Sequence, residues 1–372
     1  MLRKSFALTV GALVIASSGA WAQNVGEGLL PGAGESASRV GTRGANWLEF
    51  PVGARAQALG WAGTALISGA QALAWNVAAI AEVESFDIAW SYSELFDEAD
   101  ITHQFGGVVL PIGASGALGV SVISLSSGDI IRTTERFPEG GDPVFGETFT
   151  YSGFAGSLGY GHMLTDRLSV GAAVKLVSEG IDDAKADWVS FDVGARFRTG
   201  LFAMTLGAAV VNIAGDSRFE GSAIEQMVGA GEEVFPTGDN VPIRYDTREL
   251  ALPTAFRFSV LFDVTGTAEA WLAQVGLQHR IRLVADLYDS IDTSPQPSFG
   301  VEYAYREIAF ARIGKRFLNE DKDESFRDFS DGFAFGGGIN VPLFNRHLGF
   351  DYAYTSMGIL ENIQTFTFRL GP

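Results

Sequence analysis

The sequence predicts an all-β protein, a transmembrane antiparallel β-barrel of about fourteen strands with a partly helical plug at its N-terminus. Three observations predict this fold class. The chain begins with a secretory leader, strands with period-two alternation of apolar and polar residues follow from residue 85 onward, and the connections between strands alternate between short and long.

The first residues of the chain have the three parts of a signal peptide. Arg3 and Lys4 form the positive start, residues 6–15 form an apolar core, and Ala20-Trp21-Ala22 forms a small-x-small cleavage site. The core is too short to cross a bilayer as a helix. We therefore expect export and cleavage near Ala22, and the predicted domains are a signal peptide over residues 1–22, a plug segment over residues 23–84 and an outer-membrane β-barrel over residues 85–372.

Period-two alternation marks fourteen candidate strands. In residues 167–178, for example, Leu168, Val174 and Leu176 fall on one face, and Ser169 and Lys175 fall on the other. A tilted strand crosses the hydrocarbon core with about 9–11 residues, which is close to the length of most candidates. The candidates are residues 85–91, 101–111, 116–126, 147–162, 167–178, 187–198, 202–212, 253–263, 277–288, 297–305, 307–317, 332–341, 346–354 and 361–370.

The connections between these candidates fall into two alternating classes. Connections such as 163–166 and 342–345 are tight, whereas 127–146, 212–252 and 318–331 are long and charged. A soluble β-sandwich would have turns of similar length at both ends. The difference between the two rims therefore favours an outer-membrane barrel. The connection 265–276 is an exception, because it is long although its position in the alternation predicts a tight turn.

The two faces of the strands predict two environments. A closed barrel pairs every backbone group within the protein, so it can stand in lipid. The Phe, Leu and Val side chains of the apolar face then contact lipid, while the polar face lines the lumen and carries both signs of charge. The predicted lumen-facing residues are Lys175, Asp192, Arg196, Arg257, Glu302 and Asp351, together with Arg280, Arg282 and Asp286.

The segment of residues 56–81 contains no charged residue and is rich in Ala and Gly. Two structures remain open for it, a membrane-spanning helix and a compact plug in the barrel mouth. Polar residues such as Gln57, Gln71 and Asn76 favour the plug, because polar groups are costly at bilayer depth.

Arg55, just before this segment, is the only charged residue between Glu49 and Glu82. A buried arginine needs a partner. The candidate partners in the lumen are Asp87, Asp192, Glu302 and Asp351.

Four stretches of the chain resemble the PorV/PorQ family, relatives of the FadL-type transporters of hydrophobic compounds. These stretches are Phe50-Pro51-Val52-Gly53-Ala54-Arg55-Ala56 with Leu59-Gly60-Trp61-Ala62-Gly63, Ala74-Trp75-Asn76-Val77-Ala78-Ala79-Ile80, Gly128-Asp129-Ile130-Ile131-Arg132-Thr133-Thr134-Glu135 and Leu164-Thr165-Asp166-Arg167-Leu168-Ser169-Val170-Gly171. Val77 stands where the family usually has proline, and Phe368 is followed by Arg369-Leu370-Gly371-Pro372 instead of ending the chain. The resemblance implies a fourteen-stranded FadL-like barrel whose plug contains Arg55, Trp75 and Asn76.

Composition argues against several classes of protein. The formal net charge is −18, or −20 without Arg3 and Lys4 of the leader, which argues against nucleic acid as a partner. The chain has no cysteine, which excludes disulfides, a lipoprotein anchor and thiol chemistry. The four histidines show no metal-ligand spacing, and no Gly-x-Ser-x-Gly motif is present. We therefore expect no enzyme, no cofactor and no metal site, and the charge run 319–324 favours a solvated loop over a calcium site.

Two functions remain open. In both, lipid of the outer membrane surrounds the barrel. The resemblance implies a non-enzymatic component of type IX secretion, which binds the C-terminal domains of secreted proteins and a translocon barrel. The alternative is a FadL-like transporter that passes hydrophobic small molecules across the outer membrane. For the first function, the expected partner contacts in the long loops are Asp129, Arg132, Glu135 and Phe137.

Overall fold

Fourteen long strands run up and down around a closed barrel within the part of the chain that the computed structural model describes, which is residues 41–113, 115–141, 147–229, 240–272, 278–318 and 330–371. The predicted fold class is confirmed. The strands are β1 (Asp87–Leu95), β2 (Ile101–Ile112), β3 (Gly116–Ser126), β4 (Tyr151–Met163), β5 (Leu168–Ile181), β6 (Ala184–Arg198), β7 (Thr205–Ala214), β8 (Ala255–Thr265), β9 (His279–Ser290), β10 (Gln296–Tyr305), β11 (Ala309–Arg316), β12 (Phe333–Leu343), β13 (Arg346–Ser356) and β14 (Asn362–Gly371).

The barrel closes where the first strand meets the last. β1 pairs with β14 in antiparallel register from Ile88 opposite Leu370 to Leu95 opposite Ile363. Each other strand pairs with its neighbours in the sequence, including β6 with β7 and β7 with β8. Every long strand therefore has two partners, which is the arrangement that satisfies the backbone groups of a sheet in lipid.

The two rims of the barrel differ in the length of their connections. One rim, here called the long-loop rim, carries 127–150, 215–254 and 317–332, and the opposite short-turn rim carries 113–115, 164–167 and 344–345. Two small antiparallel ribbons extend from the long loops, Ile130–Ile131 with Thr148–Phe149 and Glu225–Gly229 with Asn240–Arg244. The predicted leader and the charge run 319–324 lie outside the described residues.

Some strand boundaries differ from the prediction because the backbone turns sharply there. The connection of β5 to β6 was predicted to span 179–186, but both strands continue to a two-residue turn at Asp182 and Asp183, with Asp182 at φ 54°. β7 begins at residue 205 instead of 202, because Phe202 and Ala203 have φ of 54° and 49°. A left-handed backbone interrupts the regular pairing of a strand. Residues 148–149 belong to the small ribbon instead of β4.

Alternation along the strands places apolar side chains outside the barrel and polar side chains inside. The outer surface exposes Val174, Leu176 and Phe191. Their neighbours in the chain, Lys175 and Asp192, are buried. The outer surface is thus an apolar band over most of the strand length, suited to contact with lipid.

Residues 44–83 form an inner segment that lies within the barrel. It consists of short helices at Asn46–Glu49, Ala54–Gln57, Gly69–Gln71, Ala72–Trp75 and Val77–Glu82. Among the described residues, none of the helices has the length and apolarity required to cross a bilayer.

Small residues allow the inner segment to approach the wall closely. Gly60 has φ 71°, and a Cβ there would lie 2.6 Å from backbone atoms of Lys315 on β11. Gly171 of β5 faces the helix Val77–Glu82, and a Cβ there would lie 2.7 Å from backbone atoms of Val77 and Ala78. Larger side chains at these positions would hold the segment away from the wall.

The outward orientation of Val174 generates a prediction. We expect Val174→Arg to lower the free energy of unfolding by about 2–4 kcal/mol, because it places a cation on the lipid side near the middle of β5. Asp187→Arg is the matched control, since Asp187 is also on the outer surface but lies near the long-loop rim, where the cost is about 0–1 kcal/mol. Reversible urea unfolding in lipid vesicles measures both. Equal loss at the two sites would contradict the assigned orientation of the strands in the membrane.

Candidate functional site

The inner segment crosses the barrel interior from one rim to the other. At the long-loop rim, the backbone N–H of Gly44 donates to the carbonyl of Ala251 at 3.0 Å, and the N–H of Ala45 donates to Glu179 Oε2 at 2.9 Å. At the short-turn rim, Arg346 donates to the hydroxyl of Ser85 at 2.8 Å and to the carbonyl of Phe86 at 3.0 Å. The segment therefore occupies the path through the lumen and is bonded to the wall at both ends.

Two carboxylates of the wall hold the middle of the segment. Asp286 accepts from the backbone N–H groups of Gly63 and Thr64, and Glu302 pairs with Arg55. Arg55 donates two hydrogen bonds to Glu302, from Nε at 2.9 Å and from Nη2 at 2.8 Å. The same carboxylate accepts from Arg282 at 2.6 Å and from Arg312 at 2.7 Å. Glu302 thus accepts hydrogen bonds from three arginines, one from the inner segment and two from the wall. Four carboxylates were predicted as candidate partners of Arg55, and the structure pairs it with Glu302.

Further ion pairs extend this network around the wall. Arg312 donates to Asp351 at 2.5 Å, and Arg282 also contacts Glu307 at 3.0 Å. On the opposite side, Arg196 lies 3.4 Å from Glu82 at the end of the inner segment. Pairing of this kind offsets much of the cost of burying charge in a low-dielectric interior.

Lys175 and Asp192 meet at an irregularity in the wall. The pairing of β6 with β7 shifts register between Phe191 and Val193. Opposite this shift, Asn212 has φ 60°, and its backbone N–H donates to Asp192 at 2.8 Å. Lys175 Nζ lies 2.8 Å from both Asp192 Oδ2 and Asn212 Oδ1. Side-chain bonds therefore replace the backbone bonds that the bulge removes.

Arg257 is buried without a carboxylate within ion-pair distance among the described residues. Its guanidinium lies over the ring of Trp75 at 4.9 Å and near the ring of Tyr288 at 5.4 Å, and it donates to the carbonyl of Ala74 at 3.2 Å. Cation–π contact of this kind contributes more when it is removed from water. Arg257 thus connects β8 to the part of the inner segment that contains Trp75.

Asn76 links three parts of the interior. Its side-chain oxygen accepts from the N–H of Ala78 at 3.2 Å, which caps the helix Val77–Glu82. Its amide nitrogen donates to the carbonyls of Thr64 at 3.2 Å and Ala195 at 2.9 Å. Val77 is the first residue of this helix, a position where proline is also favourable.

The half of the interior that faces β1 to β6 is largely apolar. Trp47, Leu48 and Phe50 of the inner segment pack there against a continuous cluster from the wall and the long loops. The wall and loop residues of this cluster include Leu95, Phe105, Leu125, Val177, Trp188 and Leu252. The interior is thus divided into an apolar half against β1 to β6 and a half against β8 to β13 that carries the arginine network.

The four loop residues predicted to contact a partner lie near one small ribbon. Asp129 and Glu135 are exposed, and Phe137 is half-buried. Arg132 donates to Asp182 of the β5–β6 turn at 2.6 Å and lies over the ring of Phe149 at 5.4 Å. The hydrogen bond from Arg132 holds the pKa of the Asp182 carboxyl below its ordinary value. These contacts fix the ribbon above the barrel wall at neutral pH.

Sequence reasoning identified part of this interior and missed the rest. Trp47, Leu48 and Phe50 were not singled out, because their segment has no strand or helix periodicity. Arg312 and Arg369 were omitted from the lumen set, although the period-two alternation of β11 and β14 indicates their face. No group of three His, Asp or Glu side chains among the described residues is arranged to hold a metal.

Comparison with known proteins supports the architecture. No protein-family model matches the chain, and no curated protein matches its sequence. Among solved structures, the chain is similar to the toluene transporter TbuX of Ralstonia pickettii, with a TM-score of 0.50 and 11% identity over 86% of this chain and 97% of that chain. It is also similar to the toluene transporter TodX of Pseudomonas putida, with a TM-score of 0.50 and 11% identity over 86% of this chain and 96% of that chain.

A third solved structure, a Pseudomonas aeruginosa FadL homologue, covers 85% of this chain and 96% of its own chain, at a TM-score of 0.48 and 15% identity. At such identities, the likeness to the two toluene transporters shows a shared fold. Membership of the PorV/PorQ family stays a prediction.

The shared carboxylate generates a prediction about stability. We expect Glu302→Gln to lower the free energy of unfolding by about 3–5 kcal/mol, because it leaves Arg55, Arg282 and Arg312 buried without their common counter-charge. Glu249→Gln is the control, since Glu249 pairs with Arg218 in an exposed position, where an ion pair contributes little. Urea unfolding followed by the gel shift between folded and unfolded barrel measures both. Similar unfolding midpoints for the two variants would contradict the central role of Glu302.

Proposed function

We propose that this protein is an outer-membrane channel for small hydrophobic compounds, with the long-loop rim outside the cell and the inner segment as its plug. The observation that carries the proposal is the apolar half of the interior against β1 to β6. Barrels that conduct water-soluble solutes have polar interiors. A continuous apolar lining instead suits a ligand that leaves water, since each Å² of apolar surface removed from water contributes about 25 cal/mol.

The comparison with solved structures supports the same function. TbuX and TodX, which share the barrel fold, are toluene transporters. A compound of this class, a single aromatic ring without charge, is compatible with an interior lined by Trp47, Phe50 and Phe105. The proposal therefore assigns an uncharged aromatic or aliphatic compound to the apolar half.

Passage requires the plug to move, because the described part of the lumen is occupied. The gap beside Phe50 and Trp75 has a volume of only about 20 Å³, far too small for a benzene ring. A compound must therefore displace Trp47, Leu48 or Phe50 to pass further. Between its two ends the plug is held to the wall by hydrogen bonds, ion pairs and ring contacts, which permit local movement.

Uptake by intact cells tests the function directly. We expect cells that lack this protein to take up radiolabelled toluene severalfold more slowly at low concentration than cells that express it. Reintroducing the wild-type chain restores the rate, and uptake of a charged sugar phosphate serves as the control for general leakiness. Equal toluene uptake with and without the protein would overturn the proposal.

The absence of native cysteine permits a sharper test of plug movement. Ala58 of the plug and Ala353 of β13 lie in one buried cluster, so the double variant Ala58→Cys/Ala353→Cys is expected to form a disulfide on oxidation. We expect toluene uptake to fall in the oxidised double variant and to recover on reduction. Each single variant, treated in the same way, is the control. Unchanged uptake with a complete cross-link would show that the plug does not move at this point.

A second function, a secretion component that binds a protein partner, is favoured by one observation. Ile130 and Ile131 are exposed on the small ribbon, and Ile131 is 63% exposed, although Arg132 and Asp182 hold the ribbon in place. Exposed isoleucine on a fixed ribbon is typical of a docking surface for another protein. The predicted contacts Asp129, Arg132, Glu135 and Phe137 surround it.

The second function predicts an effect of Ile131 that is independent of the channel. We expect Ile131→Asp to abolish release of secreted cargo while toluene uptake stays at the wild-type level. Thr133→Asp, in the same loop and also exposed, is the matched control and is expected to leave release unchanged. Normal release by the Ile131 variant would remove the support for a docking role of this ribbon.

A further inference from the structure

A separate cavity opens at the short-turn rim, beside the arginine network. Its volume is about 350 Å³, which is enough for a small polyatomic anion with water. Plug residues Ser68, Gly69 and Glu82 form one side of it, and the wall forms the other. Six arginines line it, Arg55, Arg196, Arg280, Arg282, Arg312 and Arg369.

The carboxylates near this cavity pair mainly with four of its six arginines. Glu307 contacts Arg280 and Arg282, and Asp263 also pairs with Arg280. Glu302 accepts from Arg55, Arg282 and Arg312. Asp87, which lines the cavity, instead accepts from the backbone N–H of Ala70 at 2.7 Å. Arg196 and Arg369 are therefore the arginines of the cavity with the least carboxylate contact.

Arg369 of β14 is the arginine with the most unused capacity. Its guanidinium makes no hydrogen bond and no ion pair within 4.0 Å in the described part of the chain, and Asp87 and Asp351 act on it only at longer range. Across the cavity, Arg196 has one ion-pair contact, with Glu82 at 3.4 Å. Its Nε and Nη1 atoms make no hydrogen bond to any described residue. Arg55 repels both.

We propose that this cavity is a binding site for an oxyanion, a phosphate or a carboxylate, that enters from the short-turn rim. Guanidinium groups match the geometry and charge of such oxyanions. A bound anion would neutralise Arg369 and Arg196 and would accept from the hydroxyl of Ser68. Because Ser68 belongs to the plug and Arg369 to the wall, the anion also bridges the plug to β14.

The same chemistry has two sources, a free anion of the periplasm and the charged end of a molecule with an apolar tail. Inorganic phosphate is the probe for the first, and hexyl phosphate is the probe for the second. The anion site is shared by both, so binding of either probe supports it. Equal affinity indicates a free anion, and tighter binding of hexyl phosphate indicates a tailed ligand.

Calorimetry on the intact detergent-solubilised protein at constant ionic strength tests the site. We expect phosphate to bind the wild type, and Arg369→Gln to weaken binding about tenfold, since a charge-assisted hydrogen bond is lost. Arg369→Lys retains the charge and is expected to keep part of the affinity. Arg306→Gln is the control, because Arg306 is at the same rim but does not line the cavity.

The gel shift on heating shows whether each variant is a folded barrel, so a loss of affinity is assigned only to folded protein. If Arg369→Gln does not fold, Arg196→Gln provides the same comparison from the opposite wall. No phosphate or hexyl phosphate binding to the wild type at millimolar concentration, or equal binding by wild type and both glutamine variants, would overturn the proposal.

Discussion

Neutralising charge inside the barrel is the constraint on which the rest of the structure depends. Glu302 is buried to 1% exposure and accepts hydrogen bonds from Arg55, Arg282 and Arg312. Removing one partner from such a group leaves an uncompensated charge in a medium that solvates it poorly, which is far costlier than loss of the same pair at the surface. Arg55 is the only charge in the middle of the plug, so Glu302 is the carboxylate that holds this part of the plug by an ion pair.

The division of the interior follows from the same constraint. Charged side chains concentrate where they can reach one another, on the inward face of β8 to β13. On the other side of the interior, apolar plug residues pack against β1 to β6, and Trp47 and Trp188 belong to one cluster. The two sides of the interior therefore differ in chemistry. The apolar side suits apolar compounds, and the cavity at the short-turn rim suits oxyanions.

Sequence periodicity predicted the strands and the fold class, because alternation with period two is a local property of each strand. It also placed Lys175 and Asp192 on the polar set. It did not predict that they meet at Asn212, because that contact depends on a register shift between β6 and β7. Likewise, four carboxylates were candidates for Arg55. The choice of Glu302 depends on the height and angle at which the plug crosses the lumen, and no local pattern encodes these.

The path of the plug limits how the proposed channel opens. The plug enters at the long-loop rim, where Ala45 is bonded to Glu179, and it leaves at the short-turn rim, where it continues directly into β1. Withdrawal as a unit would break the contacts at both ends and expose Arg55 and Glu302 together. Local repacking around Phe50 breaks neither the terminal bonds nor the Glu302 network. Local repacking in the apolar half is therefore less costly than withdrawal of the whole plug, and this half is also where the proposed hydrophobic compound would bind.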